Sequence, residues 1–183
     1  MQRYRIVDHY DFPVGIVVEL LMETPLYDLQ DLPNVSTNEI IEERDEGTKK
    51  YIKVKWNVHG QIPKAAQKII SPETLTFLED SVWDRETLVY STKVIPHFFK
   101  KQVNCRHKLE FFEAGNKTKR VLSGFFEIKI PVIGQLVEPV ILKYLKQNSK
   151  EDFEMGSRAL KQYIAKNGLP DSLREKYPEF DKK

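Results

Sequence analysis

The order of periodicities along this chain constrains its fold more than any single residue does: a succession of period-two segments between residues 36 and 130, then one long stretch with helical period. Residues 36–45, 49–59, 74–84, 87–95, 102–113 and 118–130 read as strands, joined by turns at Glu46-Gly47, Arg85-Glu86 and Ala114-Gly115-Asn116. Alternation is clearest over 49–59, where Ile52, Val54, Trp56 and Val58 face one way and Lys53, Lys55 and Asn57 the other. A longer link carries Pro63, the apolar-basic stretch from Ala65 to Ile70, and Ser71-Pro72. Strands joined this closely form an antiparallel meander, because parallel strands need crossover segments that are absent here.

After Pro131 the pattern changes. Val137, Val140, Ile141, Tyr144, Leu145, Phe153, Leu160, Tyr163 and Ile164 mark one face of a long helix, with Pro139 in its first turn and Asn167-Gly168 as its stop. Its expected length is about 40 Å at the usual rise per residue. Ahead of the meander, residues 3–11 form a further strand with Tyr4, Ile6, Asp8 and Tyr10 on one face. Pro13 then opens a short helix through Val14, Val17, Val18 and Leu21, and Thr24-Pro25 opens a second through Leu26, Leu29 and Leu32. The fold class is α+β, with a curved antiparallel sheet wrapped around a long C-terminal helix. Residues 1–168 read as one domain and 169–183 as a charged, peripheral tail. A bent sheet closed by a single helix does not readily fill its own interior, and a hollow between the two is expected to take a ligand.

The 183 residues carry 29 Lys+Arg against 27 Asp+Glu, and a net charge of +2 lacks the electrostatic footprint of a duplex nucleic-acid binder. A single cysteine rules out an internal disulfide and an all-cysteine zinc cluster. No run of about 18 apolar residues spans a membrane, and Met1 to Arg5 do not open a secretory signal. A reduced, cytoplasmic protein is the expectation. No nucleophile elbow, phosphate loop, dinucleotide fingerprint or metalloprotease motif occurs in the sequence.

The order of elements resembles the START-like (SRPBCC) superfamily, whose fold is the helix-grip. The resemblance rests on Asp11-Phe12-Pro13 leading into a helix, on Thr24-Pro25-Leu26-Tyr27-Asp28, and on Leu32-Pro33-Asn34-Val35 entering a strand. The segment Ile130 to Glu138, leading into the long helix, is similar to one in a START-like bacterial family of unknown function. The resemblance covers residues 3–166 and implies a hydrophobic pocket beneath the helix, in a superfamily holding both carriers and enzymes.

Several residues are candidates for that pocket. Val103, Cys105, His107, Leu109 and Phe111 share one face of their strand, so Cys105 and His107 lie two residues apart on the same side. They read as a thiolate–imidazole pair or two metal ligands, or else as small buried groups; no third ligand stands at metal spacing, so neither a metal nor a cofactor is expected. Trp56, Phe77 and Phe126, with Trp83, Phe112 and Phe125, read as core or cavity lining, because Glu79, Asp80, Asp84 and Glu110 among them break any basic groove for single strands. Glu79 shares a face with Phe77; it is either a solvated edge residue or, if inward, the pocket's anion. On the helix, Tyr144 lies on the apolar face, and Gly156 either leaves room for a ligand or adjusts a gap. Lys49, Lys50, Lys53, Lys55, Lys64 and Lys68 form one basic group and Lys100, Lys101, Arg106 and Lys108 another; these read as a solvated face or as a surface for transient membrane contact.

The expected function is therefore to bind or transfer a hydrophobic small molecule or lipid, without catalysis and without nucleic acid. The alternatives are a cyclase- or aromatase-like enzyme using His107 and a nearby Tyr or Glu, and a protein-interaction module with a filled core.

Overall fold

Seven strands pair in the order β1-β7-β6-β5-β4-β3-β2, every neighbour antiparallel. In this computed structural model, which describes residues 1–24, 26–60, 64 and 75–181, they are β1 (Gln2–Tyr10), β2 (Val35–Asp45), β3 (Lys49–Val58), β4 (Thr76–Asp84), β5 (Val89–Pro96), β6 (Val103–Ala114) and β7 (Lys117–Ile128). The expected meander is β2 to β7, and β1 closes the sheet beside β7. Most of the link after β3, with Pro63, Ala65 to Ile70, Ser71-Pro72 and the basic residue Lys68, lies outside the described residues, as does Pro25.

Two neighbouring strands must come unusually close at Gly124. A Cβ placed there would sit 2.4 Å from the Arg106 carbonyl oxygen and 2.7 Å from His107 Cβ, so β6 and β7 can approach this closely only without a side chain.

The first helix is shorter than expected. α1 (Val14–Val18) passes directly into a π-helical turn over Glu19–Glu23, where the Thr24 amide reaches the Glu19 carbonyl at 3.1 Å. Of the second expected helix, only a 3-10 turn over Leu29–Asp31 forms, with the Asp28 side chain accepting from the Gln30 amide.

The long helix, α2 (Ile133–Asn167), runs 35 residues, about 50 Å at 1.5 Å per residue. It starts earlier than the sequence indicates, so Pro139 lies inside it and not in its first turn. Glu138 anchors this end by accepting a hydrogen bond from the Ile128 amide at 2.9 Å.

The contacts of α2 explain the curl of the sheet. On one side, Phe153 packs on Tyr10 of β1, and Asp152 pairs with Arg120 of β7. On the other, Met155 packs on the cluster of Leu32, Val35 and Trp56, and the Asn148 amide oxygen accepts from Asn34. Since β1 and β2 are opposite edges of the sheet, one helix can reach both only if the strands between them bend away beneath it.

The segment expected to be a peripheral tail is instead part of the core. Leu169 and Leu173, on and just before α3 (Asp171–Arg174), are buried in the largest apolar cluster with Ile16, Leu20, Trp83 and Leu160. Phe180 packs on Phe12, Asp181 accepts from the Leu169 amide at 2.8 Å, and Arg174 pairs with Asp181 at 2.9 Å. Asp171, Glu175, Lys176 and Glu179 are exposed and conceal an apolar stripe at Leu169, Leu173, Tyr177 and Phe180. Residues 182 and 183 lie outside the described residues. No helix among the described residues is long and apolar enough to cross a membrane.

Candidate functional site

The register of the central strands brings two rows of side chains together on the inner face. One row runs Phe126, Cys105, Val94, Glu79 and Val54; the next runs Tyr4, Gly124, His107, Thr92, Ser81 and Ile52. Directly opposed residues in antiparallel strands stand about 4.5–5.5 Å apart at Cα, so Glu79 and Cys105 flank Val94 within reach of one small ligand group. Cys105, His107 and Glu79, which the sequence proposes separately, therefore share one surface.

The apolar core of the described residues falls into three clusters placed around this surface. The largest lies under α1, the C-terminal half of α2 and the last segment; the second joins Leu32, Val35 and Trp56; the third joins Ile133 and Val137 to the end of β7. Val54 and Phe77 pack against the second cluster and Tyr90 and Leu109 against the largest, while Glu79, Val94, Cys105 and His107 belong to none of the three, face inward and stay only half-buried. Phe126 and Trp56 are sealed, and Phe112 points outward, 46 % exposed.

Burial disfavours the charged form of each titratable group of the floor. Burial pushes the Glu79 carboxyl up to about 7, against the opposing pull of a hydrogen bond from Trp56 Nε1 at 3.0 Å. Burial pushes the Cys105 thiol up to about 12, and the nearby Glu79 carboxylate adds to the shift. His107 is pushed down to about 4 by burial alone. The pair is thus a neutral thiol and a neutral imidazole, not a thiolate–imidazolium. Among the described residues no three metal-ligating side chains converge. Ser81 and Thr92 satisfy each other at 2.9 Å.

Tyr4 supplies a group that the sequence reading placed on the right face but gave no role. Its side chain is 8 % exposed, and its hydroxyl is buried without a hydrogen-bond partner. Burial raises its pKa, and the charges of Cys105 and Glu79 raise it further; its ring lies against Phe126.

Beneath α2 a polar knot closes one side. Arg120, 3 % exposed, pairs with Asp8 at 2.9 Å and with Asp152, and Tyr27 donates to the other Asp152 oxygen at 2.6 Å. Gly156 lies against this knot. A Cβ there would meet Tyr10 Oη at 3.2 Å, Leu21 at 3.3 Å and Tyr27 at 3.5 Å, so the missing side chain admits those residues and not a ligand. Tyr144 packs on Gly60, where an added Cβ would fall 2.8 Å from its ring.

A cleft of about 190 Å³ opens where β5 and β6 part beyond the Val94–Cys105 pair. Residues of both sheet faces line it, among them Val94, Val103 and Cys105 from the inner face and Lys93 and Asn104 from the outer. Of the first basic group, three members are paired: Lys53 with Glu42 at 2.6 Å, Lys50 with Glu43 at 2.9 Å and Lys49 with Asp84 at 3.5 Å.

No protein-family model and no curated protein matches the chain. Solved structures do. An aromatase/cyclase, Zhui, from a Streptomyces species superposes with a TM-score of 0.65 at 14 % identity, over 92 % of this chain and 99 % of that one. A protein from Thermus thermophilus gives 0.62 at 18 %, over 88 % and 98 %. Norcoclaurine synthase from Thalictrum flavum, in complex with dopamine and hydroxybenzaldehyde, gives 0.58 at 13 %, over 92 % and 89 %. Identities this low carry architecture and not chemistry. With its edges gripped by one C-terminal helix and these structures matching most of its length, the chain has the helix-grip fold.

Proposed function

We propose that this protein binds a hydrophobic small molecule or lipid in a hollow between the inner face of β3 to β6 and α2, and does not transform it. The observation that carries this reading is the unsealed middle of the sheet. Glu79, Val94, Cys105 and His107 keep accessible surface there while the packed clusters lie around them. Glu79 combines part-exposure with a carboxyl pushed up to about 7 by burial. A group bathed in open solvent is not desolvated in this way, so its accessible surface faces a recess.

Two similar folds support the reading at a distance: one is named as an aromatase/cyclase, and the other was solved with two small aromatic molecules. Affinity would come from apolar burial, roughly 25 cal/mol per Å² of ligand surface removed from water. Lining would come from Phe77 and Leu109, with the sealed Trp56 and Phe126 behind them, and orientation from Glu79, Cys105 and His107. Tyr144 and Gly156 belong to the walls. Exposed Phe98, beside Lys100 and Lys101 in the β5–β6 loop, is the surface we assign to transient membrane contact during loading.

The experiment is saturable binding of the neutral dye Nile red to the full chain, with native mass spectrometry of the purified protein. A stoichiometric dye complex, displaced by lipid extract, is expected. The absence of both dye binding and any copurified small molecule would overturn the proposal. Conversion of a bound polyketide-like chain by the protein would favour the cyclase alternative, in which His107 and Glu79 or Tyr4 move protons.

A further inference from the structure

The ladder between β5 and β6 stops early. Its last pair is Val94–Cys105, yet β5 stays paired to β4 as far as Pro96, and β6 to β7 from Val103. The cleft of about 190 Å³ is the gap between two strands that are each fixed on their far side. Val94 and Cys105 line it and also belong to the floor, so the cleft borders the hollow.

The outer mouth of this cleft is positive and short of counter-charge. Lys93 and Lys100 line it with Asn104, and none of its described lining residues is acidic. Lys93 also stands directly opposite Arg106, both exposed on the outer face. Like charges opposed across a ladder destabilise it, and none of these three cations has an ion pair among the described residues. The carboxylates nearest by register lie one strand away. Asp80, across from Lys93, makes no ion pair with it, and Glu127, across from Asn104, is paired with Lys129 at 3.4 Å.

The loop that carries Lys100 is fastened at both ends. The His97 amide donates to the Thr76 carbonyl at 2.9 Å, and the Gln102 carbonyl accepts from the Lys129 amide at 2.6 Å. Between them Phe99 takes a φ of 59°, a costly conformation for a bulky residue, held by the Gln102 and Val103 amides on its carbonyl. Strain of this kind persists only where the surroundings enforce it, and it collects at ligand clamps.

The cleft has room for about six water-sized groups. That suffices for a carboxylate or phosphate with the first carbons of its chain, and not for the chain itself. An anion at the mouth pairs with cations while keeping contact with water, whereas on the floor beside Glu79 its charge would be buried unpaired.

We propose that the hollow takes apolar chains ending in an anionic oxygen group, carboxylate or phosphate, with that group in the β5–β6 cleft against Lys93, Lys100 and Arg106 and the chain passing Val94 and Cys105 onto the floor. This rests on the hydrophobic-ligand reading above and adds the head group and its place.

The test is competition against bound Nile red by dodecanoate, dodecyl phosphate, 1-dodecanol and dodecylamine, each below its micellar concentration, at pH 8 and low salt. Both anions should bind about ten-fold more tightly than dodecylamine. Lys93→Gln and Lys100→Gln should each weaken the anions about three-fold, and the double variant about ten-fold, with dodecanol unchanged within about two-fold. Lys101→Gln, next in sequence but outside the cleft lining, should leave all four affinities alone. Added salt should shrink the anions' advantage. Acetate and inorganic phosphate, at matched ionic strength, should leave dodecanoate affinity unchanged; competition by them would make the cleft a free-anion site unconnected with the hollow. If the double variant binds the anions like wild type, or dodecylamine binds most tightly, the head-group assignment is wrong and the hollow stands. If neither dye nor any dodecyl compound binds, both fail.

Discussion

Glu79 costs the fold stability when it ionises, and His107 when it protonates. The Glu79 carboxyl is raised from 4.5 to about 7 in the folded protein, so the folded state holds that proton more tightly. Its contribution is complete below pH 4.5 and is lost as pH rises through 7. His107 is lowered from 6.5 to about 4, so its contribution is complete above pH 6.5 and is lost as pH falls through 4. Between pH 4.5 and 6.5 the two slopes oppose and nearly cancel. Single variants should separate them in urea titrations. Relative to wild type, Glu79→Gln should become progressively more stable between pH 4.5 and 7, by up to about 3 kcal/mol. His107→Gln should do so between pH 6.5 and 4, by a similar amount. Flat differences in both would show that neither group is desolvated. At Arg120 the mechanism differs: Arg120→Ala would strand Asp8 and Asp152 below α2 and should cost about 3–5 kcal/mol, measured in the same assay. The shared face of Cys105 and His107 was legible from simple alternation. That Glu79 joins them was not, because it depends on which residue of β4 pairs with Val94, and register across three strands leaves no local mark. Tyr4 was on the correct face for the same reason, but an orphaned hydroxyl is a property of neighbours and not of sequence.

At the scale of elements, the last segment is the largest departure from expectation. Its apolar residues at 169, 173, 177 and 180 have helical spacing, but the charges between them dominate the composition. Leu169, 1 % exposed, and Leu173, 8 % exposed, fill space against Ile16 and Leu160. Leu169→Ala should destabilise by about 2–5 kcal/mol, as core truncations do. Deletion of residues 169–183 should lower the melting temperature drastically or prevent folding. A deletion variant that melts like wild type would contradict the packing described. The opening and the end of α2 show a related effect. A proline reads as a helix start from sequence alone, yet Pro139 is carried inside because Glu138 and the buried Ile133 and Val137 tie the preceding turn to β7. The meander itself was legible nearly to the residue, since a period of two survives whatever the sheet packs on.

For the molecule as a whole, the claim on which everything turns is that one helix reaches both sheet edges and leaves the floor between them unfilled. Phe153 and Asp152 hold one edge and Met155 and Asn148 the other, so α2 reaches from one edge of the sheet to the other. Sequence order pointed to this grip, because a single helix had to cover an entire sheet face. It gave no volume, because volume is set by side chains from strands far apart in sequence. The most direct measurement is the denaturant stability of Val94→Trp together with its Nile red affinity, Val94 lying between Glu79 and Cys105 on the floor. An empty floor accepts the indole, and the variant should keep its stability within about 1 kcal/mol while losing dye binding at least ten-fold. A loss of more than about 3 kcal/mol, the penalty of overpacking a filled core, with dye binding unchanged, would contradict the account.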